Sequence, residues 1–588
     1  LDLPIEPRKK HKRRNSGTWI LSILLLILIG GGTWYAYGVY EEWKEAQPNL
    51  EREEPSFGSN PKPVFYAGEM LQEPAVGSGD ALMLTVPFIQ EHIDSRMIYE
   101  EQSESVIITT TNKVIRMKTD QLTAWVNEKP ITLEFPVVKS EEDIQVPVAA
   151  IQSLYAFELR ENTETGAVLL FKQGDILQWA SIKQAFNKKG EPVPVALRTK
   201  ATIKAPILAD LPAEEPVLIW SEEDDWFRVQ RSNGWIGYVQ KTDAELMQPE
   251  MIAIKEQPEP VIPWSPMGGK INLTWEQVVS KNPDTSKIGT LPGLNVISPT
   301  WFHLEDDEGN LKNLASASYV KWAHERGYQV WALFSNDFDP DRTKKVLSNY
   351  DTRMHVIRQL VSYAQLYDLQ GINIDFENVY LADKGLVTQF VRELTPFLHE
   401  QGLVVSIDVT IRGGSEMWSL FLDREALGQT VDYMMVMTYD EHWASSPNAG
   451  SVASLPWTEK GIADIIKHDH VPASKLLVGV PYYTRIWTEQ TVDGKKKVSS
   501  KAVGMETIQK LIKDKKLAPV YDEATGQDYV EYKEDGGLKR IWIENDASMK
   551  ARAELVKKYD LAGIASWRRG FETSNIWETI QSTLESRP

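Results

Sequence analysis

The strongest constraint on the fold lies in residues 267–588, where short apolar runs alternate with amphipathic helical stretches. Eight runs read as strands: 270–275, 294–301, 328–335, 371–377, 403–410, 432–439, 475–483 and 562–567. Between them, stretches such as 352–367 and 384–400 place apolar residues at helical spacing. Near-continuous aliphatic strands suit a sheet covered on both faces, and parallel neighbours need a crossover between them. Eight such units in roughly 320 residues predict a (β/α)8 TIM barrel. Segment 487–545 is too long for a loop and is expected to form a small inserted lobe before the last helix and strand.

Functional residues of such a barrel sit at the C-terminal ends of its strands. Those ends carry Asp375 and Glu377, then Asp408, then Tyr439 and Asp440, then Tyr483 and Arg485, and finally Trp567. All would converge on one mouth, and Trp301, at the end of the second run, is taken with them as a substrate contact. Within Gly371-Ile372-Asn373-Ile374-Asp375-Phe376-Glu377, strand alternation puts Asn373, Asp375 and Glu377 on one face. Burying neighbouring carboxylates is costly and raises at least one pKa. A carboxylic acid kept protonated near neutral pH can protonate a glycosidic leaving oxygen. From this heptad alone, a solvated strand end or a helix N-cap reads equally well.

At 588 residues the chain exceeds a single core, so a multidomain protein is expected. It has no cysteine, which excludes disulfides, thiol nucleophiles and thiolate metal sites. Its nine histidines show no metal-ligand spacing, so neither a metal nor another cofactor is expected. A net charge of −19 argues against nucleic acid as a partner.

Residues 18–40 contain no charge and are long enough to span a bilayer as a single transmembrane helix. The basic tail 1–17, with Arg8, Lys9, Lys10, Lys12, Arg13 and Arg14, precedes the run, and acidic residues follow it. This asymmetry puts the N-terminus in the cytoplasm and the remainder outside the cell membrane. Trp19, Trp34, Tyr35, Tyr37 and Tyr40 suit interface anchors. A cleaved signal peptide is the competing reading, but the run is long for one and no clear small-x-small site follows it.

Residues 41–62 read as a charged linker and 248–266 as a proline-rich hinge. Between them, 63–190 carries a weak repeat: Val86-Pro87-Phe88-Ile89 recurs as Val146-Pro147-Val148-Ala149, and each copy leads to a β-branched run. This α+β stretch resembles the stalk-like repeat of copper amine oxidase N-terminal domains, without a copper-ligand cluster. Residues 191–247 are short strands, with Asn233-Gly234 as a tight-turn signal between 225–229 and 235–239. The spacing of Trp226, Val229, Gly234, Trp235, Gly237, Tyr238 and Val239 resembles bacterial SH3-like domains, which implies a small β-barrel in contact with the cell wall. Trp226 and Trp235 read individually as core of that barrel.

The 267–588 region resembles glycoside hydrolase family 18, the chitinase-like enzymes. Gly371–Glu377 is similar to the D-G-x-D-x-D-x-E signature, Met437-Thr438-Tyr439-Asp440 to M-x-Y-D, Gly479–Arg485 to G-[IV]-P-[FY]-Y-G-R, and Gly563–Trp567 to the last-strand Trp motif. The N-x-D-F-E variant at 373–377 resembles the bacterial spore-cortex and cell-wall branch. The resemblance implies hydrolysis of a 2-acetamido glycan in which the substrate's own acetamide attacks the anomeric carbon. It makes Glu377 the general acid and then base, Asp375 the group that orients the acetamide, and Tyr439 a hydrogen-bond partner of the acetamide oxygen. Asp440, Tyr483, Arg485 and Asn373 become substrate-side contacts, and Trp567 the floor under the sugar.

Two departures stand out. Gln370 and Asn373 replace acids of the family pattern, so Asp375 is expected to be less perturbed than in the family. Phe334-Ser335-Asn336-Asp337 replaces a glycine-rich strand end. The expected carbohydrate partner is peptidoglycan, with chitin as the alternative polymer. A non-catalytic glycan-binding protein on the same barrel is the other reading, and retention of Glu377, Asp375 and Tyr439 argues against it.

Overall fold

The structure is a computed structural model that describes residues 16–141, 143–187, 189–253 and 268–586. The basic residues 8–14 and most of the proline-rich hinge lie outside the described residues. The chain divides into two compact units, one built from segments up to Thr85 and from Pro147 to Gln257, the other from Val86–Val146 and the region after Pro258.

The first unit begins with helix α1 (Ser16–Glu45), which contains the charge-free run. From Ile23 to Lys44 it is long and apolar enough to cross a membrane, and none of that stretch is buried. Farther on, an antiparallel sheet includes Pro216–Glu223, Trp226–Gln230 and Ile236–Gln240. The Asn233-Gly234 turn joins the last two, with Gly234 at φ +91°. Ile176–Ile182 pairs with Pro216–Glu223, so this sheet continues across the expected boundary at residue 190. Trp226 is buried, and Trp235 packs against the core that includes Val217, Phe227, Val229 and Val239.

The second unit is dominated by a closed parallel barrel. Its strands are β1 (Ile271–Glu276), β2 (Val296–Leu304), β3 (Gln329–Ser335), β4 (Gly371–Asp375), β5 (Val404–Thr410), β6 (Tyr433–Met437), β7 (Leu476–Pro481) and β8 (Gly563–Trp567). Each pairs with the next in sequence, and β8 closes on β1. Closure brings the backbones at β1 and β8 so close that a Cβ on Gly563 would sit 1.9 Å from the Ile271 carbonyl oxygen. Alternation sorts the side chains: Ile372 and Ile374 join the core shared with the helices, while Leu273, Trp331, Leu333 and Met435 fill the barrel interior. Helix α2 (Tyr350–Tyr367) starts at Asn349, whose side chain accepts from the Asp351 N–H, and ends at left-handed Asp368. Helix α3 (Lys384–Glu400) follows β4.

The inserted lobe is a five-stranded antiparallel sheet with one helix, Met505–Lys515. Its first strand already begins at Tyr483, because β7 stops at Pro481. Tyr483 and Arg485 therefore belong to the lobe rather than to the end of β7.

Residues 63–190, expected as a single repeat domain, are shared between the units. Residues 98–132 form a five-stranded antiparallel meander belonging with the barrel. Ile107 and Val114 of this meander are buried in the same core as the barrel helices. Arg353 of α2 lies fully buried between Glu393 of α3 (2.8 and 2.9 Å) and Glu100 of the meander (2.6 Å). Arg116 reaches Asp351 at 2.7 Å, and Lys129 reaches Glu400 at 2.9 Å. Both Val-Pro repeats mark a strand end running into a helix, at Val86–His92 and Val148–Tyr155.

Candidate active site

A cavity of about 450 Å³ opens at the C-terminal end of the barrel. Asp375, Glu377, Asp408, Tyr439, Asp440, Tyr483 and Trp567 all line it. Five loops and strand ends that are distant in sequence thus deliver the expected residues to one place. Trp567 stands beside Trp275 of β1, with ring centroids 5.9 Å apart and planes tilted by 59°.

Glu377 lies just past the end of β4, and its backbone is gripped from β3. Asn336, fully buried, accepts from the Glu377 N–H at 3.0 Å and donates to the Glu377 carbonyl at 2.8 Å. The same amide donates to Thr343 Oγ1 at 2.9 Å, which fixes its orientation. The chain's departure from a glycine-rich strand end therefore supplies a clamp on the residue that carries the proposed acid.

The three inner carboxyls are desolvated together. Burial pushes Asp375 up to about 7. Burial, followed by the charges of Asp375 and Asp440, pushes Glu377 up to about 8. Asp408 is raised well above the carboxylate range by burial and then by Asp375. Three carboxyls around one poorly solvated space cannot all ionise near neutral pH. At Asp375 the cause is loss of water, and the neutral Asn373 adds no charge to it.

Asn373 is itself corrected as a substrate contact. It is fully buried below the cavity, where it donates to Asp408 Oδ2 at 2.8 Å and accepts from Ser406 Oγ at 2.9 Å. Arg485 does not line the cavity either; its Nη2 donates to Asp440 Oδ1 at 3.2 Å. Tyr483 Oη donates to the same oxygen at 2.7 Å. Both hold Asp440, which sits at φ +59° immediately after Tyr439.

Trp301 is also corrected. It is fully buried, its Nε1 donates to Asn282 Oδ1 at 2.7 Å, and its ring meets Tyr319 edge-on at 5.7 Å. Strand β2 continues to Leu304, with a register shift against β3 between Thr300 and Phe302. A shift of this kind changes which side chains face the mouth. Thr300 and His303 line the cavity instead.

Other lining residues were missed in the sequence: Trp275, His303, Lys312, Asp337 and Phe338. Trp275 could have been found, since it ends the first strand at the level of the other site residues. His303 and Lys312 come from the unforeseen extension of β2 and its antiparallel partner Leu311–Asn313. Burial lowers the pKa of His303, which favours the neutral ring.

A barrel whose mouth gathers raised carboxyls against aromatic walls is the arrangement of a glycosidase. Residues 291–572 match the profile of glycosyl hydrolases family 18. Residues 65–196 match the copper amine oxidase N-terminal domain. The chain is similar to an uncharacterized glycosylase, YvbX, of Bacillus subtilis (strain 168), at 27% identity over 300 residues, covering 49% of this chain and 84% of the relative. It is also similar to a cortical fragment-lytic enzyme of the same organism, at 24% identity over 244 residues, covering 40% of this chain and 55% of the relative. Among solved structures, the C-terminal domain of a putative chitinase from Desulfitobacterium hafniense DCB-2 aligns with a TM-score of 0.48 at 25% identity, covering 54% of this chain and 98% of that one.

Proposed function

We propose that this protein is a membrane-anchored hydrolase that faces outward and cleaves β-1,4-linked N-acetylglucosamine glycans, with peptidoglycan as its polymer. The observation that carries this reading is the convergence of Asp375, Glu377, Tyr439 and Trp567 on one cavity in which the Glu377 carboxyl holds its proton near neutral pH. Helix α1 would tether the enzyme, and the 191–247 module, read as SH3-like, would contact the wall. The similarity to a cortical fragment-lytic enzyme supports a wall glycan.

In this mechanism the sugar ring rests against Trp567 with its acetamide directed toward Asp375 and Tyr439. Glu377 gives its proton to the glycosidic oxygen as the acetamide oxygen attacks the anomeric carbon, forming an oxazolinium ion. Asp375, ionised at that stage, accepts from the acetamide N–H and balances the positive charge. Burial and the neighbouring Asp375 favour the protonated form of Asp408, so the negative charge is assigned to Asp375. Glu377, now a carboxylate, takes a proton from the water that opens the ring, and the anomeric configuration is retained.

Side-by-side digestion of purified peptidoglycan and chitin tests this reading. Mass spectrometry of the new reducing ends is expected to show N-acetylglucosamine termini from peptidoglycan. Release from chitin alone would replace the polymer, and release from neither would overturn the assignment.

A further inference from the structure

Away from the barrel mouth, the meander and the barrel helices enclose a second polar cleft. A small cavity of about 70 Å³ is lined by Arg96, Thr109, Arg392, Thr395 and Gln429 among others. A larger space of about 460 Å³ shares Arg96 and Arg392 with it. The two guanidinium groups thus stand at a common wall.

Their bonding differs. Arg96 is paired with Asp94, Nε to Oδ1 at 2.9 Å. Arg392 is partly buried, yet among the described residues it has no hydrogen bond and no carboxylate within ion-pair distance. The nearby acids are engaged elsewhere: Asp94 with Arg96, and Asp423 with the Ala426 N–H at 3.2 Å and Lys384 at 3.6 Å. Burial, and after it the positive charge of Arg96, lowers the pKa of Arg392. In the same small cavity, the buried hydroxyl of Thr109 (2% exposed) has no partner. A desolvated cation and a buried hydroxyl left unmatched are both costly, and each can donate hydrogen bonds.

We propose that this cleft binds a phosphoryl group, either free phosphate or the phosphodiester of a larger molecule. Arg96 comes from a loop, Arg392 from α3 and Thr109 from the end of a meander strand, so the donors approach from three elements. That spread suits a tetrahedral oxyanion better than a planar carboxylate, and guanidinium groups are strong phosphate donors. The small cavity suits one such group, and the adjoining larger space has room for substituents of a diester. The site is independent of the glycosidase assignment, since none of its residues lines the barrel cavity.

Isothermal titration calorimetry on the detergent-solubilised full chain at constant ionic strength tests the proposal. The probes are inorganic phosphate, glycerophosphoglycerol and acetate, applied to wild type, Arg392→Gln and Thr109→Val. Wild type is expected to bind phosphate or the diester at one site per chain and to ignore acetate. Arg392→Gln should weaken that binding by about tenfold or more, with Thr109→Val weakening it less. Its melting temperature should stay at or above that of wild type, because an unpaired buried charge is removed. Tighter binding of phosphate than of the diester would identify the free ion as ligand, and the reverse would identify a phosphodiester. Absence of binding to either, equal binding by acetate, or undiminished binding by both variants would overturn the proposal.

Discussion

Replacing Glu377 with glutamine is expected to lower kcat on peptidoglycan by about 10²–10⁴-fold while glycan binding persists, because loss of a positioned general acid costs about that much. Glutamine keeps the shape of the side chain, and the Asn336 clamp acts on the backbone, so the loop should stay in place. Only the transferable proton is lost. Pull-down on insoluble peptidoglycan, run beside fragment release, separates binding from cleavage. Equal release by wild type and variant would remove Glu377 from the mechanism and favour a glycan-binding role.

The same substitution has a consequence for stability. Glu377 is raised to about 8 in the folded protein, against an ordinary value of 4.5. The folded chain therefore retains a proton that the unfolded chain releases between those values. Stability associated with that proton is present below about 4.5 and is lost as pH rises through about 8. Glu377→Gln should consequently match wild type at pH 4 and exceed it at pH 9, by about 1–3 kcal/mol once coupling to Asp375 and Asp408 is allowed for. Activity of wild type should fall over the same alkaline range, as the acid loses its proton.

Arg353→Met is expected to produce the largest loss of stability in the chain, about 3–5 kcal/mol, measured on the urea unfolding transition of the barrel unit. Glu393 is fully buried and Glu100 nearly so, and both lose their cation. Only the 2.8 Å hydrogen bond from Gln389 would remain on the Glu393 carboxylate. The cost comes from two stranded charges, so the combined variant Arg353→Met, Glu393→Gln, Glu100→Gln should recover most of it. A single variant as stable as wild type at pH 7 would show that the buried triad does not hold the meander to the barrel.

The barrel was legible because parallel strands buried on both faces leave uninterrupted aliphatic runs, and all eight runs fall on observed strands. The site was legible where chemistry coincides with a strand end, as at Asp375, Tyr439 and Trp567. It failed where geometry depends on a partner strand. Trp301 was placed at the mouth because its apolar run ends there, whereas pairing with β3 and the hairpin Leu311–Asn313 carries β2 on to Leu304. Asn373 kept the alternation expected of it but lies one layer too deep to meet a substrate. The docking of the meander was invisible for a different reason. Glu100 and Arg353 are 253 positions apart, and nothing local in either segment announces the other. The high pKa of Asp375 likewise depends on how much water the finished fold excludes.

In the proposed mechanism a substrate acetamide attacks while Glu377 protonates the leaving oxygen. Proton NMR of the first reducing ends released from soluble glycan strands, recorded before mutarotation, tests it most directly. The mechanism predicts that the β-anomer appears first and the α-anomer grows in later. An α-anomer present from the earliest spectrum would mean that water attacks the anomeric carbon directly, and would contradict the roles given to Asp375 and Tyr439.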